Sequence, residues 1–298
     1  MIFELSRDNL ALAQQEVLSL AKAKHYNIYD NLLVCKANFD YSRLAYTNLV
    51  LEEIFIDTKI PKVHWEKYYR KNFCVRSNIT AKEKDIAPII WYALKNPTVN
   101  MHAESEFWFY FIGEKIICGK KVYKREEKFQ KRRPDLRPGF FPVSLKPKLA
   151  RALVNLSGVK KGTIWDPFCG TGGILLEASL MGLKAVGTDI DPLMIRAAKQ
   201  NFEKYTCKAK LFLGDARKEK IKCKAIVTDP PYGRRASTKK ENVEKLYTEF
   251  LAHVYPSVET VVLMAPSSIK IQSNYTLFWE GEDFVHRSLT RNIYVLKK

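Results

Sequence analysis

Hydrophobic positions follow one pattern in the first part of the chain and another in the second. Up to about residue 122 a helical stretch from Leu10 to Ala23 and a helix near Asp85 to Leu94 are mixed with alternating segments such as Ile28 to Ala37, Phe73-Cys74-Val75-Arg76 and Phe107 to Ile112. That mixture predicts small α+β structure. The run Trp108-Phe109-Tyr110-Phe111 fits a base-stacking platform or the buried side of a strand, and alternating strand aromatics favour the core. After Phe141 the pattern becomes regular. A helix from Lys146 to Leu156 stops at Gly158, then strand Thr163-Ile164-Trp165 and a helix from Gly172 to Met181 follow. Next come strand Ala185-Val186-Gly187, helix Pro192 to Tyr205, strands Leu211-Phe212-Leu213 and Ala225-Ile226-Val227, helix Asn242 to Val254, and strands Val261 to Met264 and Arg291 to Leu296. Such a rhythm predicts an α/β fold with a doubly wound, mostly parallel sheet, its last strand returning as a hairpin on the edge.

Composition adds a partner. The 298 residues carry 50 Lys+Arg against 32 Asp+Glu, a net charge of +18, and 46% of them are hydrophobic, enough for packed cores and too many for a disordered tail. So large a positive surplus points to a polyanion, and nucleic acid is favoured over a membrane because no run of about 18 apolar residues occurs. A cytoplasmic location is expected. At roughly 100–200 residues per domain, the expected division is 1–55, 56–125, a basic linker at 126–141, and a catalytic domain at 142–298. Between Lys120 and Pro138 lie Lys120, Lys121, Lys124, Arg125, Lys128, Lys131, Arg132, Arg133 and Arg137, which read as an exposed hinge able to touch phosphates. The cysteines at 35, 74, 118, 169, 207 and 223 form no Cys-x-x-Cys pair, so neither a metal site nor a disulfide framework is expected.

The chemistry gathers where the parallel strands end. The first runs into Asp166-Pro167-Phe168-Cys169-Gly170-Thr171-Gly172-Gly173 and then a helix, a turn whose glycines admit a ligand close to backbone N–H groups. Asp166 would repel a phosphate and suits an ammonium group. The second strand ends in Gly187-Thr188-Asp189-Ile190-Asp191, where Asp189 is placed for two ribose hydroxyls and Asp191 for capping the next helix. The third ends in Gly214-Asp215-Ala216, with Asp215 a candidate acceptor for an adenine amino group. The fourth ends in Thr228-Asp229-Pro230-Pro231-Tyr232-Gly233, where two prolines remove two N–H donors and leave an acceptor-rich turn. Asp229 and the Pro230 carbonyl could hold both hydrogens of a planar amine while Tyr232 stacks on its ring.

These four motifs resemble those of archaeal and eukaryotic tRNA guanosine-10 2-amino methyltransferases. The segment Arg137 to Leu156 resembles that family's entry to its catalytic domain, so the likeness covers most of 137–298. The resemblance implies a Rossmann-like class I methyltransferase domain preceded by a ferredoxin-like part and a THUMP RNA-binding domain. It also implies that Asp166, Phe168, Cys169, Gly170, Gly172, Asp189, Ile190, Asp215 and Ala216 line an S-adenosylmethionine site, and that Asp229, Pro230, Pro231 and Tyr232 form the target pocket. Some relatives require a small zinc-binding activator protein, so such a partner is expected beside tRNA. Where relatives tend to read Pro-Gly-Ser/Thr-Leu, this chain has Pro142-Val143-Ser144-Leu145, a departure at the methionine end of the cofactor site. Two rival readings stay open: an adenine 6-amino methyltransferase on DNA or RNA, and an RNA-binding protein that has lost catalysis.

Overall fold

Short apolar runs bounded by turn residues fold the N-terminal half into one sheet. The structure, a computed structural model, describes residues 1–142, 144–232, 243–286 and 289–298. In chain order the first elements are β1 (Ile2–Leu5), α1 (Leu10–Ala21), β2 (Tyr26–Tyr29), β3 (Leu32–Cys35), β4 (Thr47–Asp57), β5 (Phe73–Ser77), α2 (Glu83–Trp91), β6 (Ser105–Ile112) and β7 (Lys115–Lys124). The strand order is β2-β3-β1-β4-β7-β6-β5, and only β5 and β6 pair in parallel. The division drawn at residue 55 falls inside β4, which pairs with β7 from Leu49 opposite Lys124 to Asp57 opposite Ile116. Phe107, Phe109 and Tyr110 are buried, and Trp65 packs edge-on against Phe107 at 5.1 Å. Within the run, Phe109 and Tyr110 are buried and Trp108 and Phe111 are half-buried against the clusters on the two faces of the sheet, which favours core over a stacking platform.

The second half supplies α3 (Pro147–Leu156), β8 (Thr163–Asp166), α4 (Gly173–Leu180), β9 (Lys184–Asp189), α5 (Pro192–Lys204), β10 (Ala209–Leu213), β11 (Ala225–Thr228), α6 (Val243–Val254), β12 (Thr260–Pro266), β13 (Thr276–His286) and β14 (Leu289–Lys297). Their order is β10-β9-β8-β11-β12-β14-β13, with β8 to β12 parallel and β14 antiparallel to both neighbours. This is the doubly wound sheet expected, with its order reversing between β8 and β11, where such sheets open a crevice at their carboxyl ends. The last strand, β14, does not form the edge as expected but lies between β12 and β13, and the edge strand β13 is an addition to the sequence reading. Register shifts at Leu277/Trp279 and Phe284/His286 interrupt the alternation that would have revealed it. Asn242, expected to start the helix seen as α6, lies outside the described residues, as do Val143 and Gly233.

Contacts divide the chain into two units that do not follow its linear order. One holds Met1–Leu10, Ala23–Ser42 and Thr47–Glu126; the other holds Ala11–Lys22, Arg43–Tyr46 and Glu127–Lys298. Nearly all of helix α1 therefore belongs to the same unit as the doubly wound sheet. Its fully buried Glu16 accepts hydrogen bonds from the N–H groups of Ala45 and Tyr46 and from Asn155 Nδ2 of α3, each at 2.8 Å. Arg43 donates to Asn155 Oδ1 at 3.2 Å and to the Val159 carbonyl at 2.9 Å.

The basic segment matches the exposed hinge read from its charge only in part: Lys124, Lys128, Lys131 and Arg133 are exposed. Lys120, Lys121 and Lys124 lie in β7, and Arg132 and Arg137 are largely buried. The reason is Glu177, fully buried on α4, whose carboxylate takes Arg132 Nε at 2.8 Å and Arg151 Nε at 2.9 Å; Glu127 bridges the same two arginines at 2.6 and 3.4 Å. A buried carboxylate needs such partners, so the arginines fold in. No helix among the described residues is long and apolar enough to cross a membrane.

Candidate active site

At the crevice, β8 ends in Asp166 and the chain turns into α4 through residues 167–172. Gly170 has φ +49°, with open space where a side chain would start, and Gly172 caps α4 at φ +81° without any side-chain cap bond. The first N–H groups of α4 are thus left for a ligand. Asp166 is buried, and its Oδ1 accepts from Thr228 Oγ1 of β11 at 2.7 Å and from the Phe168 N–H at 3.2 Å. Burial pushes its carboxyl up to about 8, and the nearby Asp189 and Asp229 push the same way. Three acids so close together favour a cation among them.

Asp189, at the end of β9, accepts the Gly170 N–H at 2.8 Å and the Asp191 N–H at 3.0 Å, one on each oxygen, and burial raises its pKa. It therefore shapes the glycine turn itself. Asp191 caps α5, accepting the Leu193 N–H at 2.8 Å. Ile190 beside it is exposed, an apolar surface suited to a flat ring. Asp215 stands apart from the other acids: Arg217 grips it with two guanidinium bonds, at 3.1 and 3.0 Å, and holds its carboxyl below the usual carboxylate range. Ala216 and Cys169 are buried, and Phe168 packs edge-on against Phe250 at 5.3 Å. At the altered Pro-x-Ser-Leu step, Ser144 Oγ lies 3.0 Å from Thr171 Oγ1 and ties that segment to the glycine turn.

The turn after β11 forms the other wall. Burial lifts the Asp229 carboxyl to about 6, opposed by a hydrogen bond from the Tyr232 hydroxyl and by Arg291. Tyr247 of α6 holds its hydroxyl 3.5 Å from the Pro230 carbonyl and 3.4 Å from that of Pro231. The Pro-Pro carbonyls thus have a donor from another element, which the local sequence does not reveal. Arg291, also unforeseen, comes from β14, its Nη1 3.9 Å from Asp229 Oδ2.

Known proteins resemble this chain in sequence and in fold. A family model described as an RMKL-like methyltransferase domain matches residues 134–283. A second, described as a DNA methylase, matches residues 2–200 and so stops before the Asp229 turn. A protein of Methanothermobacter thermautotrophicus named tRNA (guanine(10)-N2)-dimethyltransferase is 36% identical over 282 residues, covering 86% of this chain and 84% of its own. One of the same name from Pyrococcus abyssi is 32% identical over 254 residues, with 79% and 77% covered. The chain belongs to the tRNA (guanine(10)-N2)-dimethyltransferase family. Its methyltransferase domain is Rossmann-like, and TrmN from Thermus thermophilus shares the fold at 17% identity and a TM-score of 0.51, over 100% of this chain and 99% of that one.

Proposed function

We propose that this chain transfers methyl groups from S-adenosylmethionine to the 2-amino group of guanosine 10 in tRNA, giving N2-methylguanosine and, by a second round, the dimethyl form. The observation that carries it is the Asp229-Pro230-Pro231-Tyr232 turn standing beside the Asp166 and Asp189 cradle, in a chain whose relatives bear that name. S-adenosylmethionine supplies an electrophilic methyl on a sulfonium. Asp166 receives the cofactor's ammonium, Asp189 its ribose hydroxyls on the lone pairs its backbone bonds leave over, and Asp215 its adenine amine. Asp229 and the Pro230 carbonyl hold the two hydrogens of the target amine and turn its lone pair outward, while Tyr232 stacks on the base. The guanine must leave its stack, at a cost of a few kcal/mol, and alignment then supplies most of the acceleration. The attacking nitrogen becomes acidic as the new bond forms, so its proton leaves late and needs no strong base. Mass spectrometry of nucleosides, after transcribed tRNA is incubated with labelled cofactor, tests the reading. Methylated guanosine supports it, and methylated adenosine supports the rival suggested by the DNA-methylase likeness.

The N-terminal unit is read as ferredoxin-like and THUMP parts that dock the tRNA body through phosphates and shape. The net charge of +18 supports this, with exposed Arg70, Lys71, Lys84 and Lys95 in that unit. Replacing these four by Ser is expected to weaken tRNA binding and flatten its dependence on log salt by nearly one for each phosphate no longer neutralised, leaving cofactor affinity unchanged. Filter binding across a salt series reads both. A zinc-binding activator subunit is a further proposal, supported by the family resemblance alone.

Cofactor binding is expected to release a proton at pH 7. Asp166, held near 8 in the free protein, keeps its proton there and gives it up when an ammonium arrives. Affinity should therefore climb with pH up to about 8. Calorimetry in two buffers of different ionisation enthalpy measures the release directly. Equal heats in both, or a release that survives Asp166→Asn, would remove Asp166 from the ammonium role.

A further inference from the structure

Arg291 projects from β14, the antiparallel strand beside β12, into the wall of the target turn. Its guanidinium lies between two acids. Nη2 meets Asp283 Oδ2 of β13 at 2.5 Å and Nε meets the same oxygen at 3.2 Å, while Nη1 stands 3.9 Å from Asp229 Oδ2. Side-chain exposures of 13%, 21% and 16% for Arg291, Asp283 and Asp229 keep all three mostly out of water, where charges act strongly on one another. The cross-strand pairing of Asp283 with Arg291 fixes the root of the arginine. We infer that Arg291 is a positioning residue for the transfer step, anchored by Asp283 and holding the Asp229 carboxylate fixed and charged. This rests on the reading of Asp229 as the group that meets the target amine.

The surroundings of Asp229 give the proposal its sign. Tyr232 donates to it from the same turn, Arg291 favours its charged form from β14, and Asp283 of β13 opposes that form. Asp166 of β8 and Tyr247 of α6 also feel its charge. Arg291 is the cation among these, so its loss raises the pH at which Asp229 becomes charged. Loss of Asp283 does the opposite, because it removes a repelling charge and frees the guanidinium for Asp229. A residue that merely supports the fold would not produce two opposite movements.

The test is kcat against pH for the full-length protein on transcribed tRNA, in wild type, Arg291→Gln, Arg291→Lys and Asp283→Asn. Arg291→Gln should move the acid limb up by about one pH unit, the low end for an opposite charge at this distance, with KM for tRNA little changed. Arg291→Lys should bring the limb part of the way back, since a point charge replaces the fork. Asp283→Asn should move it down. A second measurement is independent of turnover: carbon-13 titration of labelled Asp carboxyls, with the Asp229 resonance identified by its absence in Asp229→Asn. If that resonance titrates alike in wild type and Arg291→Gln, the inference falls. If it moves as expected while wild type makes no methylguanosine, Arg291 still sets the charge of Asp229, but the functional reading falls and takes the role in the transfer step with it.

Discussion

Asp229→Ala is expected to lower kcat for guanosine methylation by roughly 10²–10³-fold, the usual effect of removing one preorganised electrostatic partner, while tRNA affinity stays nearly unchanged. Asp229 supplies the carboxylate of the Asp-Pro-Pro-Tyr turn and sits where β11 meets the crevice. Its carboxyl, held near 6, is mostly ionised at pH 7, so the alanine variant loses a charge as well as an acceptor. RNA affinity comes from cations elsewhere, and removing one acid from so basic a chain does not weaken it. Asp229→Asn separates the two contributions by keeping an acceptor oxygen without the charge. Methylated guanosine in digested tRNA is the readout. Wild-type rates in both variants would make Asp229 structural and place the pocket elsewhere.

The acids at the strand ends are legible because of where they stand. A carboxylate closing an apolar run such as Thr163-Ile164-Trp165 marks the end of a core strand, and parallel strands bring their carboxyl ends to one edge. The prolines after Asp229 are legible for the donors they lack. What escapes comes from side chains reaching across the fold. Arg291 is 62 residues from Asp229 in the chain, a separation no local pattern bridges. Tyr247 sits on a helix whose apolar face predicts burial without saying which carbonyl its hydroxyl will meet. Arg217, two residues after Asp215, lies within local reach, yet charge spacing alone does not tell a clasp from two solvated groups. The basic segment misleads for a related reason: its partner Glu177 looks like an ordinary polar residue in the helix Gly173–Leu180.

A fragment beginning at Glu127 is expected to fail to fold, although the sequence alone would put the start of the catalytic domain near residue 142. Cutting there removes α1 and residues 43–46, and with them Glu16 and Arg43. Asn155, fully buried, would lose a carboxylate acceptor and a guanidinium donor at once. Each buried polar group left unpaired costs about 1–3 kcal/mol, to which the uncovered apolar surface adds. Together these losses rival the roughly 5–15 kcal/mol by which whole domains are stable. Circular dichroism on heating should show no cooperative transition in the fragment. In the full chain, Glu16→Ala should lower stability by about 3 kcal/mol, since the amides of Ala45 and Tyr46 lose their acceptor. A fragment that melts cooperatively and binds S-adenosylmethionine would show that α1 is dispensable.

The cluster of Glu177 with Arg132, Arg151 and Glu127 gives the glycine turn a particular response to heat. Glu177 lies one turn along α4, the helix that opens directly from the glycine turn. Water solvates charges less well as temperature rises, so the penalty for keeping this cluster dry shrinks on warming while its mutual attraction persists. Hydrophobic packing around it gains no comparable advantage. The start of α4 is thus held relatively more firmly in a hot cell than in a cool one, and the glycine turn should be among the last parts of its unit to loosen as the temperature climbs.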